Sequence, residues 1–257
     1  MGHFLLNVVH YARRALRDRL EVLLLIALPL GLTILNGVIF DDENVMAYGY
    51  NIAMSNIAPV FMLSFQFFAG GTMLQFLHKD LKGEMRNRLG TAPCSKLSFL
   101  APAFFANWLF SILNGLILIV VTALFLNVYW GNLLILALVL MLVSLIAILI
   151  FALVFLFAKT YGTANGLIYI ISFGMMFLSG WLLGPLLSGN PVGDFLMQYT
   201  PLSLGINAII NSGMMSEFVL AGEAQGIAQS WINIGILAGI AAVLGLIAAI
   251  SARRVKI

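Results

Sequence analysis

The residues that could act as acids, bases or metal ligands are few, and they are kept out of the apolar runs. The chain has ten Asp and Glu residues, and its three histidines are His3, His10 and His78. No long apolar run contains any of these, which excludes the catalytic dyads and ligand sets of membrane-embedded hydrolases and disfavours proton-coupled carriers. The nucleotide-binding pattern Gly-x-x-x-x-Gly-Lys-[Ser/Thr] does not occur either. We therefore expect no enzyme, and no catalytic residue, cofactor or metal on this chain.

The composition indicates an integral membrane protein. Hydrophobic residues make up 62% of the 257 residues and charged residues only 9%, against roughly 25% charged in a soluble domain. The apolar runs are continuous and not alternating, which favours helices over the strands of a barrel. We predict an all-α fold with one transmembrane domain over residues 1–257. Its six spans are 22–40, 53–77, 98–126, 133–158, 166–187 and 232–251.

The distribution of charge predicts the orientation of these spans. All thirteen Lys and Arg residues fall on one side of the six-span arrangement. The other side has no Lys or Arg, and its charged residues are six acids: Asp41, Asp42, Glu43, Asp194, Glu217 and Glu223. Because basic residues near helix ends stay in the cytoplasm, we predict a multi-pass protein of the cell membrane with both termini inside.

Three segments outside the spans have patterns of their own. Residues 1–20 predict an interfacial amphipathic helix, with Phe4, Leu5, Val8, Ala12, Ala15 and Leu16 on its apolar face. The inner loop 78–96 contains a short amphipathic helix that ends before Pro93. For the N-terminal helix the alternatives are a lipid anchor and a protein-docking element, and for the inner-loop helix they are a plain connection and an element that carries force from a soluble partner into the bilayer. Segment 188–226 is too apolar for an outer loop, so we predict short re-entrant helices broken by Pro191, Pro201, Gly205 and Gly213.

Neutral polar residues inside the spans predict helix contacts or a transport path. Asn107, Ser111 and Asn114 share one face of the third span, where they can hydrogen-bond another helix. In the second span, the polar residues are accompanied by phenylalanines that recur at helical spacing. The fourth span has Ser144 as its only polar residue, and we expect this span to face lipid.

The order of these elements resembles the permeases of ABC transporters of the ABC-2 type. The stretch from Glu84 through Arg86 and Arg88 to Pro93-Cys94-Ser95 is similar to the inner loop of that family. The stretches Leu178-Ser179-Gly180 and Tyr199-Thr200-Pro201-Leu202, with Pro185 and Pro191 between them, resemble its signature around the fifth span. A departure is Gly83-Glu84-Met85-Arg86-Asn87, where the family usually has Gly-Thr-Leu-Glu.

The resemblance implies a half-transporter. Two separate ATPase subunits, which hold ATP and Mg, would dock on the cytoplasmic side, and a second permease chain, identical or paralogous, would complete the path. The implied ATPase-coupling residues are Leu81, Lys82, Glu84, Met85, Arg86, Arg88, Leu89, Arg13 and Arg17. Candidates for the substrate path or dimer seam are Asn56, Phe61, Ser64, Phe65, Gln66, Phe68, Ser172 and Ser179.

An apolar path favours export of a hydrophobic or amphipathic molecule, such as a peptide antibiotic, a lipid-like natural product or a drug, and therefore a part in antibiotic or multidrug resistance. Polysaccharide export stays open. The alternatives are a secondary transporter or channel that needs no ATPase, and a membrane scaffold without transport activity.

Overall fold

The structure, a computed structural model, describes residues 2–17, 19–39, 46–47, 50–69, 77, 96–158, 160–179, 189–218 and 223–254. Within these ranges the helices are α1 (Gly2–Arg17), α2 (Arg19–Ile39), α3 (Ile52–Gln66), α4 (Lys96–Phe125), α5 (Leu133–Phe157), α6 (Tyr161–Leu178), α7 (Pro191–Tyr199), α8 (Pro201–Phe218) and α9 (Glu223–Arg254). Strands β1 (Met46–Ala47) and β2 (Tyr50–Asn51) form a small antiparallel hairpin before α3.

Four of the described helices are long and apolar enough to cross a membrane. They contain the stretches Leu100–Phe125, Leu133–Phe157, Tyr161–Leu178 and Gly226–Ser251. The apolar stretch described in α2 is shorter, Leu25–Asn36, and α3 covers only about 22 Å of a hydrocarbon core of about 30 Å. An all-α membrane protein is confirmed, and the count of six spans stays a prediction.

Helix α5 lies at the centre of the bundle, so the prediction that it faces lipid was wrong. It packs against α3, α4, α6, α8 and α9, and Val139, Val143 and Ile146 are completely buried. Ser144, the only polar residue of α5, accepts a hydrogen bond from Trp108 Nε1 of α4 at 3.0 Å. Lipid tails are as apolar as Leu and Val, so composition alone does not separate a lipid-facing helix from a central one.

Helix α8 is continuous, although the sequence predicts that Gly205 and Gly213 interrupt it. A Cβ at Gly205 would lie 3.0 Å from Leu63 Cδ1 of α3 and 3.0 Å from Val143 Cγ2 of α5. The glycine therefore allows close approach of three helices, as small residues do at membrane helix contacts, and the predicted break was wrong. Pro201 does begin a helix, as predicted.

The connection between α4 and α5 holds one end of the bundle together. Ser55 Oγ of α3 donates to Asn51 O at 2.6 Å and accepts from Tyr129 N at 2.9 Å. Gly131, in the same connection, touches the backbone of Gly213 in α8. The hairpin, α3, the connection and α8 are thus fixed to one another.

Replacing Gly131 by Ala should destabilise the chain more than replacing Gly189 by Ala. Both residues have positive φ, 66° and 85°, which costs a non-glycine residue roughly 1–2 kcal/mol. A Cβ at Gly131 would also lie 2.7 Å from Gly213 Cα, whereas no atom of the described residues beyond its chain neighbours lies within 4 Å of a Cβ at Gly189. We expect an additional loss of about 1–3 kcal/mol for Gly131→Ala, measured as a lower unfolding midpoint of the detergent-solubilised chain. Equal midpoints would contradict the contact between the connection and α8.

Candidate functional site

Helix α1 has three distinct faces. One face packs on α4 and buries Val8, Tyr11 and Ala15. A second face is apolar and exposed, and it includes Leu5, Val9 and Leu16. The third face carries the exposed residues His10, Arg13 and Arg17. The single apolar face predicted from the sequence is therefore divided between a protein contact and a surface suited to lipid, as in helices that lie in a membrane interface.

The predicted coupling loop leads into the helix that α1 contacts. Its candidate residues lie outside the described residues: Leu81, Lys82, Glu84, Met85, Arg86, Arg88 and Leu89. The described chain resumes at Lys96, the first residue of α4. The ring of Phe4 in α1 lies 6.0 Å from the ring of Phe105 in α4, measured between centroids. Arg13 and Arg17 are thus carried on a helix attached to α4.

Helix α3 ends inside the bundle, where a side chain of α6 donates a hydrogen bond to a backbone carbonyl just after the helix. The N–H groups of Phe67 and Phe68 donate to Ser64 O and Phe65 O, each at 3.1 Å and three residues back. Ser172 Oγ of α6, itself buried, donates to Phe67 O at 2.6 Å. Because a backbone carbonyl away from water needs a hydrogen-bond donor, this bond fixes α6 against the end of α3.

Aromatic rings from α3 and α6 lie beside this hydrogen bond. The ring of Phe68 lies 5.0 Å from Phe173, edge to face, 6.4 Å from Tyr169 and 5.4 Å from Phe65, and Phe173 lies 6.4 Å from Phe177. The three rings on α6 are 36–48% exposed. We call these five residues the α3–α6 aromatic face. Phe65 and Phe68 are among the residues predicted from the sequence, and the three rings on α6 are not, although their spacing of four residues is a usable signal.

The structure divides the other predicted path residues between different environments. Phe61, Ser64 and Gln66 are at most 3% exposed and lie inside the bundle. Asn56 is half-buried. Ser179 Oγ donates to Met176 O of its own helix at 2.7 Å. Of the predicted set, Phe65, Phe68 and Ser172 are therefore brought together at the junction of α3 and α6.

A second group of polar residues is buried where α3 meets α4. The atoms Ser64 Oγ, Gln66 Oε1, Asn107 Nδ2, Ser111 Oγ and Asn114 Nδ2 make no hydrogen bond within the described part of the chain. Gln66 and Asn114 line a common cavity of about 10 Å³, which is the room that a single water molecule needs. This space is too small for a transported molecule, so the aromatic face is the better candidate for a path.

Comparison with known protein families identifies this architecture. A family model described as ABC-2 family transporter protein matches residues 24–250. The chain belongs to the ABC-2 transporter family. The matched region includes the α3–α6 aromatic face and the buried polar group, and α1 precedes it. No match was found among curated proteins. The ABC-2 resemblance is confirmed, and the chain is a membrane-embedded, multi-pass permease of an ABC transporter.

Replacing Ser172 by Ala should weaken the attachment of α6 to α3 in this permease. The change leaves Phe67 O without its donor, which we expect to cost about 0.6–2 kcal/mol. The matched control is Ser179→Ala, because among the described residues that hydroxyl bonds within its own turn of α6. The measurement is equilibrium unfolding in mixed detergent micelles. An equal loss for the two variants would show that the bond between α6 and α3 adds nothing to stability.

Proposed function

We propose that this ABC-2 permease is the transmembrane subunit of an ATP-driven exporter. It moves a hydrophobic or amphipathic molecule, such as a peptide antibiotic, a lipid-like natural product or a drug, out of the cytoplasm or the inner leaflet. Two copies of a separate ATPase subunit supply the energy, and a second permease chain, identical or paralogous, completes the path. The observation that carries the proposal is the family match over residues 24–250.

Two structural features support a route for force from an ATPase into the bundle. The coupling loop is continuous in sequence with α4, which begins at Lys96. Helix α1, with Arg13 and Arg17 exposed, packs on the same helix, and α4 packs on the central helix α5. A push on the loop or on α1 would therefore act on α4, and α4 would pass it to the centre of the bundle.

The α3–α6 aromatic face supports an apolar path or seam. Tyr169, Phe173 and Phe177 expose large rings, and none of the five residues of the face carries a charge. Such a surface can contact apolar cargo or the second permease chain without desolvating a charged group. Helix α6 is the element that brings it to the surface of the protomer.

The ATPase partnership is tested by purifying the tagged chain from its native membranes. We expect an ATPase subunit with a nucleotide-binding loop to copurify, and the reconstituted complex to transport cargo only with ATP. Transport driven by an ion gradient, with no ATPase bound, would instead establish a secondary carrier or channel.

Charge reversal in the coupling loop should uncouple that complex. The resemblance implies that Glu84 and Arg88 contact the ATPase, so in Glu84→Lys or Arg88→Glu hydrolysis should continue while cargo transport falls at least tenfold. The control is Asp194→Lys, a reversal at an exposed position of α7, which should leave the ratio of transport to hydrolysis unchanged. Wild-type coupling in both loop variants would rule out these two residues as coupling contacts.

Replacing Phe173 by Ala should weaken cargo binding if the aromatic face lines the path. A lost aromatic contact is worth about 0.5–1.5 kcal/mol, or a rise of roughly two- to tenfold in the cargo concentration that half-saturates ATPase stimulation. The control is Ile170→Ala, because Ile170 is exposed on the same helix outside the aromatic face. Equal behaviour of the two variants would remove the aromatic face from the path.

A further inference from the structure

An apolar groove lies between α4, α5 and α9, separate from the aromatic face. Its volume is about 410 Å³. Helix α5 packs against both of the other helices. The lining residues that matter below are Leu100 and Trp108 of α4, Leu145 and Leu156 of α5, and Gly245 and Ala249 of α9.

The dimensions of the groove correspond to one hydrocarbon chain. The lining runs over about 12 Å of α4 and about 16 Å of α5, at 1.5 Å per residue. Half of a bilayer core of about 30 Å is about 15 Å, so the groove is as long as one leaflet is thick. A single acyl chain can therefore lie along the lining.

The chemistry of the lining selects hydrocarbon over a peptide or a sugar. Every lining side chain is apolar apart from the indole N–H of Trp108. That N–H donates to Met141 O at 3.1 Å and to Ser144 Oγ at 3.0 Å, both in α5. A peptide or polysaccharide in the groove would leave its own polar groups unpaired, at several kcal/mol each.

Positive residues occur at matching positions beyond one end of the groove. Lys96 lies one helical turn before Leu100, and Arg253 lies one turn after Ala249. Residues four apart share a helix face. The charge pattern of the sequence predicts the cytoplasmic side for both residues. The end of the groove next to these two helix positions is thus predicted to lie at the level of the inner headgroups.

We propose that this groove binds one acyl chain of an anionic phospholipid from the inner leaflet, with the phosphate held near Lys96 and Arg253. The lipid would be a resident component of the permease and not its cargo. The proposal depends on membrane embedding alone, so it stands or falls separately from the ATPase partnership. Each cation near a membrane surface contributes about 1 kcal/mol, or roughly fivefold in lipid affinity.

The first test uses Trp108 as a reporter at the groove. A chain that keeps Trp108 as its only tryptophan is placed in vesicles of phosphatidylcholine and phosphatidylglycerol, with bromine on the acyl chains of one or the other. We expect bromine quenching to show phosphatidylglycerol preferred at Trp108 by at least about fivefold. A chain that keeps only Trp231, exposed on α9 outside the groove, should show a preference near one. A preference near one at Trp108 overturns the proposal.

Groove and charge variants complete the test. Ala249→Phe fills the groove and should abolish the preference at Trp108. Ala242→Phe, at an exposed position of the same helix outside the lining, should retain it. The double variant K96Q/R253Q keeps the groove, so quenching by phosphatidylcholine should persist while the preference disappears.

Unfolding midpoints establish whether each variant folds. If Ala249→Phe does not fold, the K96Q/R253Q variant still tests the proposal. An unchanged preference in K96Q/R253Q overturns the proposed headgroup site. If Ala249→Phe instead converts a dimer into monomers while the quenching at Trp108 persists, the groove is a seam between chains and the proposal fails.

Discussion

The packing of neighbouring helices onto α5 is the constraint on which the rest of the structure depends. In a membrane, the hydrophobic effect does not drive a helix out of lipid and into the protein. Close packing must therefore hold this apolar helix in place. Its neighbours provide space for it at glycines. A Cβ at Gly115 of α4 would lie 2.6 Å from Leu140 Cδ1, and a Cβ at Gly205 of α8 would lie 3.0 Å from Val143 Cγ2. Large side chains on α5 and missing side chains on its neighbours are therefore two halves of one contact.

Helix α6 is held differently from the helices around α5. Among its described residues only Ala164, Ile168 and Ser172 are buried, and one hydrogen bond from Ser172 joins it to the end of α3. A helix with few buried residues gives up little packing when it moves. In an ABC permease, where the path must open and close, displacing α6 thus costs less packing than displacing α5, which has twelve buried residues.

The sequence predicts the parts of the fold that depend on transfer from water to hydrocarbon. The bounds of α4 and α5 agree within two residues with the apolar runs 98–126 and 133–158. The sequence does not predict whether an apolar helix faces lipid or lies in the protein interior, as the wrong prediction for α5 shows. The predicted last span begins at residue 232, inside α9, which begins at Glu223. Ser230 Oγ donates to Ala208 O of α8 at 2.9 Å, so a protein contact allows the helix to extend through polar residues.

The candidate site follows the same division. Ser172 and Phe68 stand out in the sequence because a hydroxyl and a ring are conspicuous in an apolar span. The hydrogen bond that brings them together cannot be read from the sequence. It forms because α3 stops at Gln66 and leaves Phe67 O free to accept from Ser172. That stop is a property of the folded bundle and not of residues 52–69 alone, whose apolar run continues. A lone hydroxyl in a span does not by itself indicate its partner: Ser172 donates to the end of another helix, Ser144 accepts from the Trp108 indole, and Ser179 bonds within its own turn.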